Sequence, residues 1–363
     1  MTDFSENKGV WVFCEQRGGE LMPTNFELVS EAAMLAKDLD TTVTALLLGD
    51  NIESVASELG GYGADEVIVC ESPLLKEYST EGYAKVVCDV VEAHKPEILL
   101  IGATTIGRDL GPRVAARLHT GLTADVTHLD IKTSKYIEYL RESSTIDVDK
   151  IKFDMEDTNL KATRPAFGGH LMATIVCPRF RPQMCTVRPG VMRRQAFDAQ
   201  GKEQVKIVIE PVELSEADIH TKLLSTEKTA AKLVDLIGAD VIVSVGRGIS
   251  KNPEEGLKLA YELADALGGV VGCSRAVVEN EWLSVDHQVG QTGKTVHPKI
   301  YVALGVSGAI QHVAGVQDSE TIIAINSNEN APIFKVATYG VVGDLFKVVP
   351  ELISDIKAVK AGN

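Results

Sequence analysis

The sequence predicts an α/β protein built from two parallel-sheet domains, and three observations support this prediction. Short apolar runs alternate with longer amphipathic segments, Gly or Pro closes many of these segments, and the alternation stops near residue 121 and restarts near residue 228. Parallel strands need long crossover connections, usually helices, so this spacing is typical of parallel sheets covered on both faces. A chain of 363 residues has room for two such domains.

The first domain is predicted over residues 1–204. Apolar runs predict its parallel strands at residues 10–13, 43–48, 67–70 and 98–101. A helix is predicted after each strand, beginning near residues 23, 51, 83 and 108. Thr24 and Glu27 have the spacing of a capping box at the start of the first helix. Shorter runs predict added strands, some of them antiparallel, at residues 123–131, 151–154, 160–164 and 170–176.

Residues 179–194 form a basic segment, RFRPQMCTVRPGVMRR, within an acidic chain. Its Arg and Pro content predicts irregular structure rather than a strand or helix. Two interpretations stay open at this point. The segment is either a loop packed on acidic neighbours or an arm that contacts another protein.

The second domain is predicted over residues 205–363. It opens with an extended run, VKIVIEPVEL, which Pro211 interrupts. Buried strands are then predicted at residues 241–245, 270–273, 300–304 and 321–325. Helices are predicted at residues 230–237, 253–267 and 345–359, the last of which contains Pro350. The second helix has Pro253 in its first turn and Gly268 just past its end, as helices prefer.

Composition excludes several classes of function. The net charge of −15 and the pI of about 5.0 argue against a sequence-independent nucleic-acid binder and against binding to anionic membrane surfaces. No run approaches the roughly 18 apolar residues of a membrane span, and no apolar signal region is visible near the start, so we expect a cytoplasmic protein without membrane insertion. The six cysteines include no C-x-x-C pair, which predicts reduced thiols.

The loops that follow the strands of the second half are rich in Gly, amide, hydroxyl and cationic residues. Ligands of open parallel sheets bind at the carboxyl ends of the strands, so these loops predict a binding site. They contain GRG at residues 246–248, Ser274-Arg275, QVGQTG at 288–293, GVSGAIQH at 305–312, and Asn326.

Neither standard nucleotide motif is complete. Lys251 occupies the position of the third Gly of a dinucleotide fingerprint, and Gln288 occupies that of the first Gly of a phosphate loop. Residues 307–309 are instead predicted to open a helix whose backbone N–H groups face a phosphate, with Arg247 adding a bidentate contact.

Arg275, Gln291, Gln311, Thr292 and His312 have the chemistry to surround a large polar heterocycle such as a redox flavin. No Ser-His-Asp order, paired carboxylate or metal-ligand cluster competes with this interpretation. We therefore predict neither a catalytic residue nor a metal site.

The second half closely resembles the alpha subunit of electron transfer flavoproteins. The resemblance rests on the runs SVGRG, GCSRAVVENEW, DHQVGQTGKTVHPKIYVALGVSGAIQHVAG, IIAINSNENAPIF and YGVVGDLFKVVPEL. The first half, with GATTIGRDLGPRVAARL and RPAFGG, is similar to the nucleotide-hydrolase-like first domain of that family.

This resemblance implies a heterodimer with a beta subunit, on which the first domain would pack, and one noncovalent FAD in a doubly wound second domain. The implied FAD contacts are Arg247, Ser274, Arg275, Val289, Gly290, Gln291, Thr292, Ser307, Gly308, Ala309, Ile310, Gln311, His312, Asn326 and Asp344. Family roles would place Arg275 over the flavin ring, Thr292 near N5 and His312 near O2.

Two subclasses of the family remain open. Ordinary members carry electrons between acyl-CoA dehydrogenases and a membrane quinone reductase. Others, from anaerobes, hold a second FAD in the beta subunit and divide NADH electrons between an acyl-CoA dehydrogenase and ferredoxin. The run TVRPGVM favours the anaerobic bacterial group. The alternatives outside the family are a self-contained NAD-dependent α/β oxidoreductase, which lacks the required fingerprint, and a nucleotide-sensing module, which lacks a phosphate loop.

Overall fold

The computed structural model describes residues 4–166, 171–225, 236–237, 239–317 and 319–361. The chain divides into two compact units, unit 1 over residues 1–226 and unit 2 over residues 227–363. Each unit contains its own parallel sheet and its own apolar cores.

Unit 1 alternates strands and helices through most of its length. Its strands are β1 (Val10–Cys14), β2 (Gln16–Arg17), β3 (Glu20–Leu21), β4 (Val43–Gly49), β5 (Glu66–Glu71), β6 (Ile98–Gly102), β7 (Leu122–Val126), β8 (His128–Asp130), β9 (Lys161–Ala166), β10 (Leu171–Ile175), β11 (Gln183–Val187) and β12 (Lys206–Glu210). Its α-helices are α1 (Pro23–Leu39), α2 (Glu53–Ala56), α3 (Thr80–His94), α4 (Thr105–Arg117), α5 (Thr133–Ser143) and α6 (Ala199–Gln204).

Seven strands of unit 1 form one parallel sheet in the order β12-β5-β4-β1-β6-β11-β7. Side chains alternate between its faces, so Val10 and Val12 of β1 join the core beneath α1, whereas Trp11 and Phe13 join the core beneath α3 and α4. A separate antiparallel sheet has the order β10-β9-β8. The four predicted parallel strands are confirmed to within one residue, and the antiparallel addition is confirmed as well.

Several predictions for unit 1 are wrong. Residues 151–154 form no strand. Thr24 does not cap α1, because the helix begins at Pro23 and its N-cap is Met22. The domain boundary after residue 204 also differs from the structure, because β12 pairs with β5 and so belongs to unit 1.

The basic segment 179–194 is not irregular throughout. Its middle forms β11, a buried strand between β6 and β7. Two flanking guanidiniums pair with acids, since Arg181 Nε lies 2.7 Å from Glu97 Oε1 and Arg188 Nη2 lies 2.5 Å from Asp125 Oδ2. Packing on acidic neighbours is therefore confirmed for these two residues, and contact with another protein remains a prediction.

The described residues of unit 2 form one five-stranded parallel sheet, with helices packed against it. Its strands are β13 (Val241–Val245), β14 (Val270–Cys273), β15 (Ile300–Leu304), β16 (Thr321–Asn326) and β17 (Tyr339–Val342). Its α-helices are α7 (Pro253–Leu267), α8 (Arg275–Glu279), α9 (Ile310–Val313) and α10 (Leu345–Ala361).

The sheet of unit 2 has the doubly wound order β14-β13-β15-β16-β17. Val243 and Val245 pack in the core beneath α7 and α10, and Ile242 packs in the core of the opposite face. The four predicted strands and the helix at 253–267 are confirmed. The helix predicted at 230–237 lies largely outside the described residues, and β17 was not predicted.

The structure also bears on membrane-spanning helices and on the pairing of the cysteines. Within the described residues, no helix combines the length and the apolar character needed to cross a bilayer. All six cysteines are free thiols, five of them buried, which confirms the prediction of unpaired thiols.

Candidate functional site

The candidate site lies at the carboxyl edge of the unit 2 sheet. From β13 the chain first adds β14 on one side, and then adds β15, β16 and β17 on the other side. Strand order therefore reverses between β13 and β15, and such a switch point is where open α/β sheets bind ligands. The loops that follow these two strands begin at Gly246 and Gly305.

A first cleft of about 390 Å³ opens at this switch point. The loop after β13 contributes Arg247, whose side chain is exposed and forms no ion pair within the described residues. Asn326, at the end of β16, donates from Nδ2 to the Val306 carbonyl at 2.9 Å and so closes the opposite wall. The lining residues are Arg247, Gly248, Ser250, Asn280, Trp282, Gly305, Ser307, Asn326, Asn328, Ala331 and Pro332.

A second cleft of about 330 Å³ shares Ser307 with the first. The loops after β14 and β15 form its walls together with residues 288–292. Its lining residues are Ser274, Arg275, Ala276, Gln288, Val289, Gly290, Thr292, Val306, Ser307, Ala309, Gln311 and His312.

The QVGQTG loop is held in place by its own backbone and by α9. The Gln291 N–H donates to the Gln311 carbonyl at 2.7 Å, and Gln288 Nε2 donates to Thr292 Oγ1 at 2.9 Å. Gly290 has a φ of +134°, and a Cβ there would lie 2.9 Å from the Gln311 carbonyl oxygen. Only glycine allows this close approach, so the loop and α9 form one wall.

Gly308 turns the chain between β15 and α9. Its φ is +81°, and a Cβ would lie 2.2 Å from the backbone nitrogen of Ile333. That nitrogen in turn donates to the Ser307 carbonyl at 3.1 Å. Gly308 therefore fixes Ser307 between the two clefts through backbone packing.

His312 is the buried titratable group of the second cleft, with 6 % of its surface exposed. Its Nε2 lies 2.8 Å from the hydroxyl of Tyr301, a fully buried residue of β15. Its Nδ1 is buried and forms no hydrogen bond within the described residues. Burial lowers the pKa of His312 to about 4, so the imidazole is neutral at pH 7.

The charged side chains among the described residues that line the two clefts are both positive. Arg247 lines the first and Arg275 lines the second, and no carboxylate is among the described residues that line either. Cations with nearby hydroxyls and amides are suited to a diphosphate and to the polar edge of a heterocycle.

The structure brings most of the predicted contacts together. Of the fifteen, those lining neither cleft are Gln291, Gly308, Ile310 and Asp344. Gln291 and Gly308 act through backbone contacts, as described above. Ile310 is 58 % exposed, and Asp344 Oδ1 accepts from the Phe346 N–H at the start of α10.

Sequence reasoning missed other lining residues and one supporting residue. Trp282, Asn280 and Asn328 line the first cleft, although they lie within the runs that carried the family resemblance. Tyr301 lies within a predicted strand, and no signal in the sequence pointed to its contact with His312.

These residues fit a flavin dinucleotide. Two adjoining clefts joined at Ser307 provide separate spaces for two halves of an elongated ligand, and the buried, unpaired Nδ1 of His312 is the kind of group that a bound ligand satisfies. Fold and site together define a nucleotide-cofactor-binding protein of the doubly wound α/β class.

Comparison with known proteins agrees with this class. Residues 10–213 match the electron transfer flavoprotein domain, and residues 235–317 match the electron transfer flavoprotein FAD-binding domain. The chain is 61 % identical over 359 residues to the acryloyl-CoA reductase electron transfer subunit beta of Anaerotignum propionicum, covering 99 % of this chain and 98 % of that protein. It is 51 % identical over 356 residues to electron transfer flavoprotein subunit alpha of Thermoanaerobacterium thermosaccharolyticum, covering 98 % and 100 %.

A more distant relative is the lactate dehydrogenase (NAD(+),ferredoxin) subunit LctC of Acetobacterium woodii. It is 41 % identical over 356 residues, which cover 98 % of this chain and 78 % of that protein. The chain belongs to the electron transfer flavoprotein family, as an alpha subunit. Its cofactor is FAD, and the resemblance inferred from the motifs is confirmed.

Proposed function

We propose that the two clefts of unit 2 together hold one noncovalent FAD through the eleven predicted residues that line them, with Gln291 and Gly308 fixing the surrounding loops and with Ile310 and Asp344 as the remaining predicted contacts. The observation that carries this proposal is the pair of adjoining clefts at the topological switch point, lined by Arg247 and Arg275 and by no described carboxylate. In this proposal Ser307, shared by both clefts, lies near the middle of the dinucleotide.

Each cleft has the chemistry for one part of the cofactor. Arg247 is unpaired and exposed, so its guanidinium is available to bind the diphosphate bidentately. Arg275, Thr292 and His312 line the second cleft, where they would bind the polar edge of the isoalloxazine ring. Bound FAD supplies reversible uptake of one or two electrons, and the protein sets its potential through the charges and dipoles placed around the ring.

The same proposal includes an electron-carrying role with a beta subunit. The chain would form a heterodimer with that subunit through unit 1 and exchange electrons with an acyl-CoA dehydrogenase. Support comes from the 61 % identical relative, which is named as an acryloyl-CoA reductase electron transfer subunit.

We further propose that the heterodimer takes electrons from NADH and divides them between the acyl-CoA dehydrogenase and ferredoxin, with NADH binding through the beta subunit. The name of the 41 % identical relative includes both NAD(+) and ferredoxin, which supports this proposal. A cytoplasmic location fits the six free thiols, because thiols persist unpaired in reducing compartments.

The experiment is to purify the chain together with the product of its neighbouring gene and to measure the visible spectrum and the FAD content per heterodimer. NADH, an acyl-CoA dehydrogenase with its enoyl-CoA substrate, and ferredoxin are then combined with the complex under anaerobic conditions. We expect a flavin spectrum and substrate reduction that depends on ferredoxin. A colourless complex would contradict the FAD site, failure to reduce the dehydrogenase would contradict the carrier role, and ferredoxin-independent reduction would contradict electron bifurcation.

A further inference from the structure

We infer that Tyr301 is a positioning residue of the FAD site, whose hydroxyl fixes the orientation and the tautomer of His312 so that the ring proton is on Nδ1. The inference rests on the proposed function, because it assigns Tyr301 a role toward a flavin in the second cleft. Nothing in the family resemblance or in the relatives' names assigns that role.

The geometry links two buried residues from different elements. Tyr301 lies in β15 and is fully buried, and His312 lies in α9 with 6 % of its surface exposed. The Tyr301 hydroxyl is 2.8 Å from His312 Nε2, and the ring centroids are 6.1 Å apart. Because β15 is a central strand, the tyrosine is a rigid anchor for the short helix that carries the histidine.

The donors and acceptors available to the two side chains determine which of them donates in the hydrogen bond between Tyr301 and His312. Burial lowers the pKa of His312 to about 4 and raises that of Tyr301 above its usual range, so both side chains are neutral at pH 7. Ser244 Oγ is buried near the tyrosine and lowers the pKa of Tyr301, which is the effect of a hydroxyl donor beside the phenolic oxygen, although the two groups do not reach hydrogen-bonding geometry. The phenolic O–H would therefore lack an acceptor unless it donates to Nε2. A neutral imidazole that accepts at Nε2 carries its proton on Nδ1.

Nδ1 is then a buried N–H donor without a hydrogen-bond acceptor in the described part of the chain. The backbone of Val289 raises the pKa of His312, but it makes no bond of hydrogen-bonding geometry with Nδ1. Buried donors normally have partners, and His312 lines the second cleft. A hydrogen-bond acceptor on the pyrimidine edge of the flavin would pair with this Nδ1–H. His312 would then present a neutral dipole to the flavin in place of a full positive charge.

The test reads the tautomer directly by ¹⁵N NMR of histidine-labelled heterodimer. His312→Gln identifies the His312 signal by its loss. We expect Nδ1 to be protonated and Nε2 unprotonated in the unmodified protein, and we expect Tyr301→Phe to shift the ring to a mixture or to the Nε2–H form. Tyr83→Phe is the matched control, because Tyr83 is also buried but its hydroxyl donates to the Leu75 carbonyl in unit 1.

An Nε2–H tautomer in the unmodified protein would overturn the inference, even if Tyr301→Phe does not fold. An unchanged tautomer in folded Tyr301→Phe would overturn it as well. Flavin content separates this inference from the proposed function, because a complex without FAD in unit 2 fails the proposed function alone. With FAD bound, Tyr301→Phe should lower the ratio of reduced to oxidised FAD at a fixed potential roughly 3- to 10-fold, as expected for the loss of one hydrogen bond, while Tyr83→Phe should leave that ratio unchanged.

Discussion

Arg275 Nε lies 2.8 Å from Oε1 of Glu279, one turn further along α8. Both side chains are largely exposed, at 68 % and 57 %, so the ion pair is weak and the guanidinium is free to turn toward the cleft that it lines. Glu279 therefore competes with a bound ligand for the charge of Arg275.

Glu279→Gln should raise the midpoint potential of the flavin bound to this chain. The substitution keeps the size of the side chain and removes the charge that offsets Arg275. Exposed pairs are worth about 0.2–1 kcal/mol, which corresponds to about 5–20 mV for a two-electron couple. An anaerobic redox titration checks the shift. Arg275→Ala is the opposing control and should lower the potential, and a fall in Glu279→Gln would show that Arg275 does not face the ring.

His312 should make unit 2 less stable in acid. Its pKa is about 4 in the folded chain against 6.5 when unfolded, so between these pH values only the unfolded chain binds the proton. The free energy of unfolding then falls as the pH drops below 6.5, by about 2 kcal/mol between pH 7.5 and 5. Urea unfolding of the unmodified protein and of His312→Gln at both pH values isolates this effect. Equal pH dependence in the two proteins would contradict the buried neutral imidazole.

Gly308→Ala should cost both stability and FAD binding. The new Cβ would lie 2.2 Å from the Ile333 nitrogen, at a φ of +81°. We expect a loss of about 2–3 kcal/mol and a displaced Ser307. Gly268→Ala is the control, because Gly268 has a φ of +75° but an added Cβ there meets no atom within 4 Å. It should cost about 1 kcal/mol and leave FAD retention after gel filtration unchanged. Similar FAD loss in both variants would show that strain alone, and not the packing on Ile333, is responsible.

Glu31 in α1 should make unit 1 less stable as the pH rises, which is the opposite of the effect predicted for His312 in unit 2. Burial raises its pKa to about 7, and the nearby charges of His128, Asp130 and Lys135 modify that shift. Between pH 4.5 and 7 the folded chain holds a proton that the unfolded chain has lost, so the free energy of unfolding falls as the pH rises. From pH 5 to 8 the loss is about 2.5 kcal/mol. Glu31→Gln should remove this loss in urea unfolding, and a persisting loss would assign it to another group.

The elements that sequence reasoning found are those whose local pattern is unambiguous. Buried apolar runs such as β4 and β13 are continuous because both of their faces are covered. By contrast, β11 contains Gln183, whose polar groups are satisfied only in the fold: its Oε1 accepts from the Leu160 N–H, and its Nε2 donates to Glu97. Local sequence carries no sign of such distant partners.

The same limit explains the domain boundary and the site. The sequence of β12 suggests the start of a new domain. Only its pairing with β5, some 140 residues earlier in the chain, places it in unit 1. The loops after the unit 2 strands were predictable because parallel strands bring their carboxyl ends together. The bond between Tyr301 and His312 was not, because it depends on how α9 packs over β15.

The most direct test of the FAD site is the FAD content of the heterodimer after charge reversal at Arg247. This residue lines the first cleft without an ion-pair partner in the described residues, so Arg247→Glu places a negative charge against the proposed diphosphate. Lys251→Glu is the control, an exposed charge reversal four residues away that does not line the cleft. We predict that Arg247→Glu removes one FAD per heterodimer relative to the unmodified complex and that Lys251→Glu removes none. An unchanged FAD content in Arg247→Glu would contradict the placement of the cofactor.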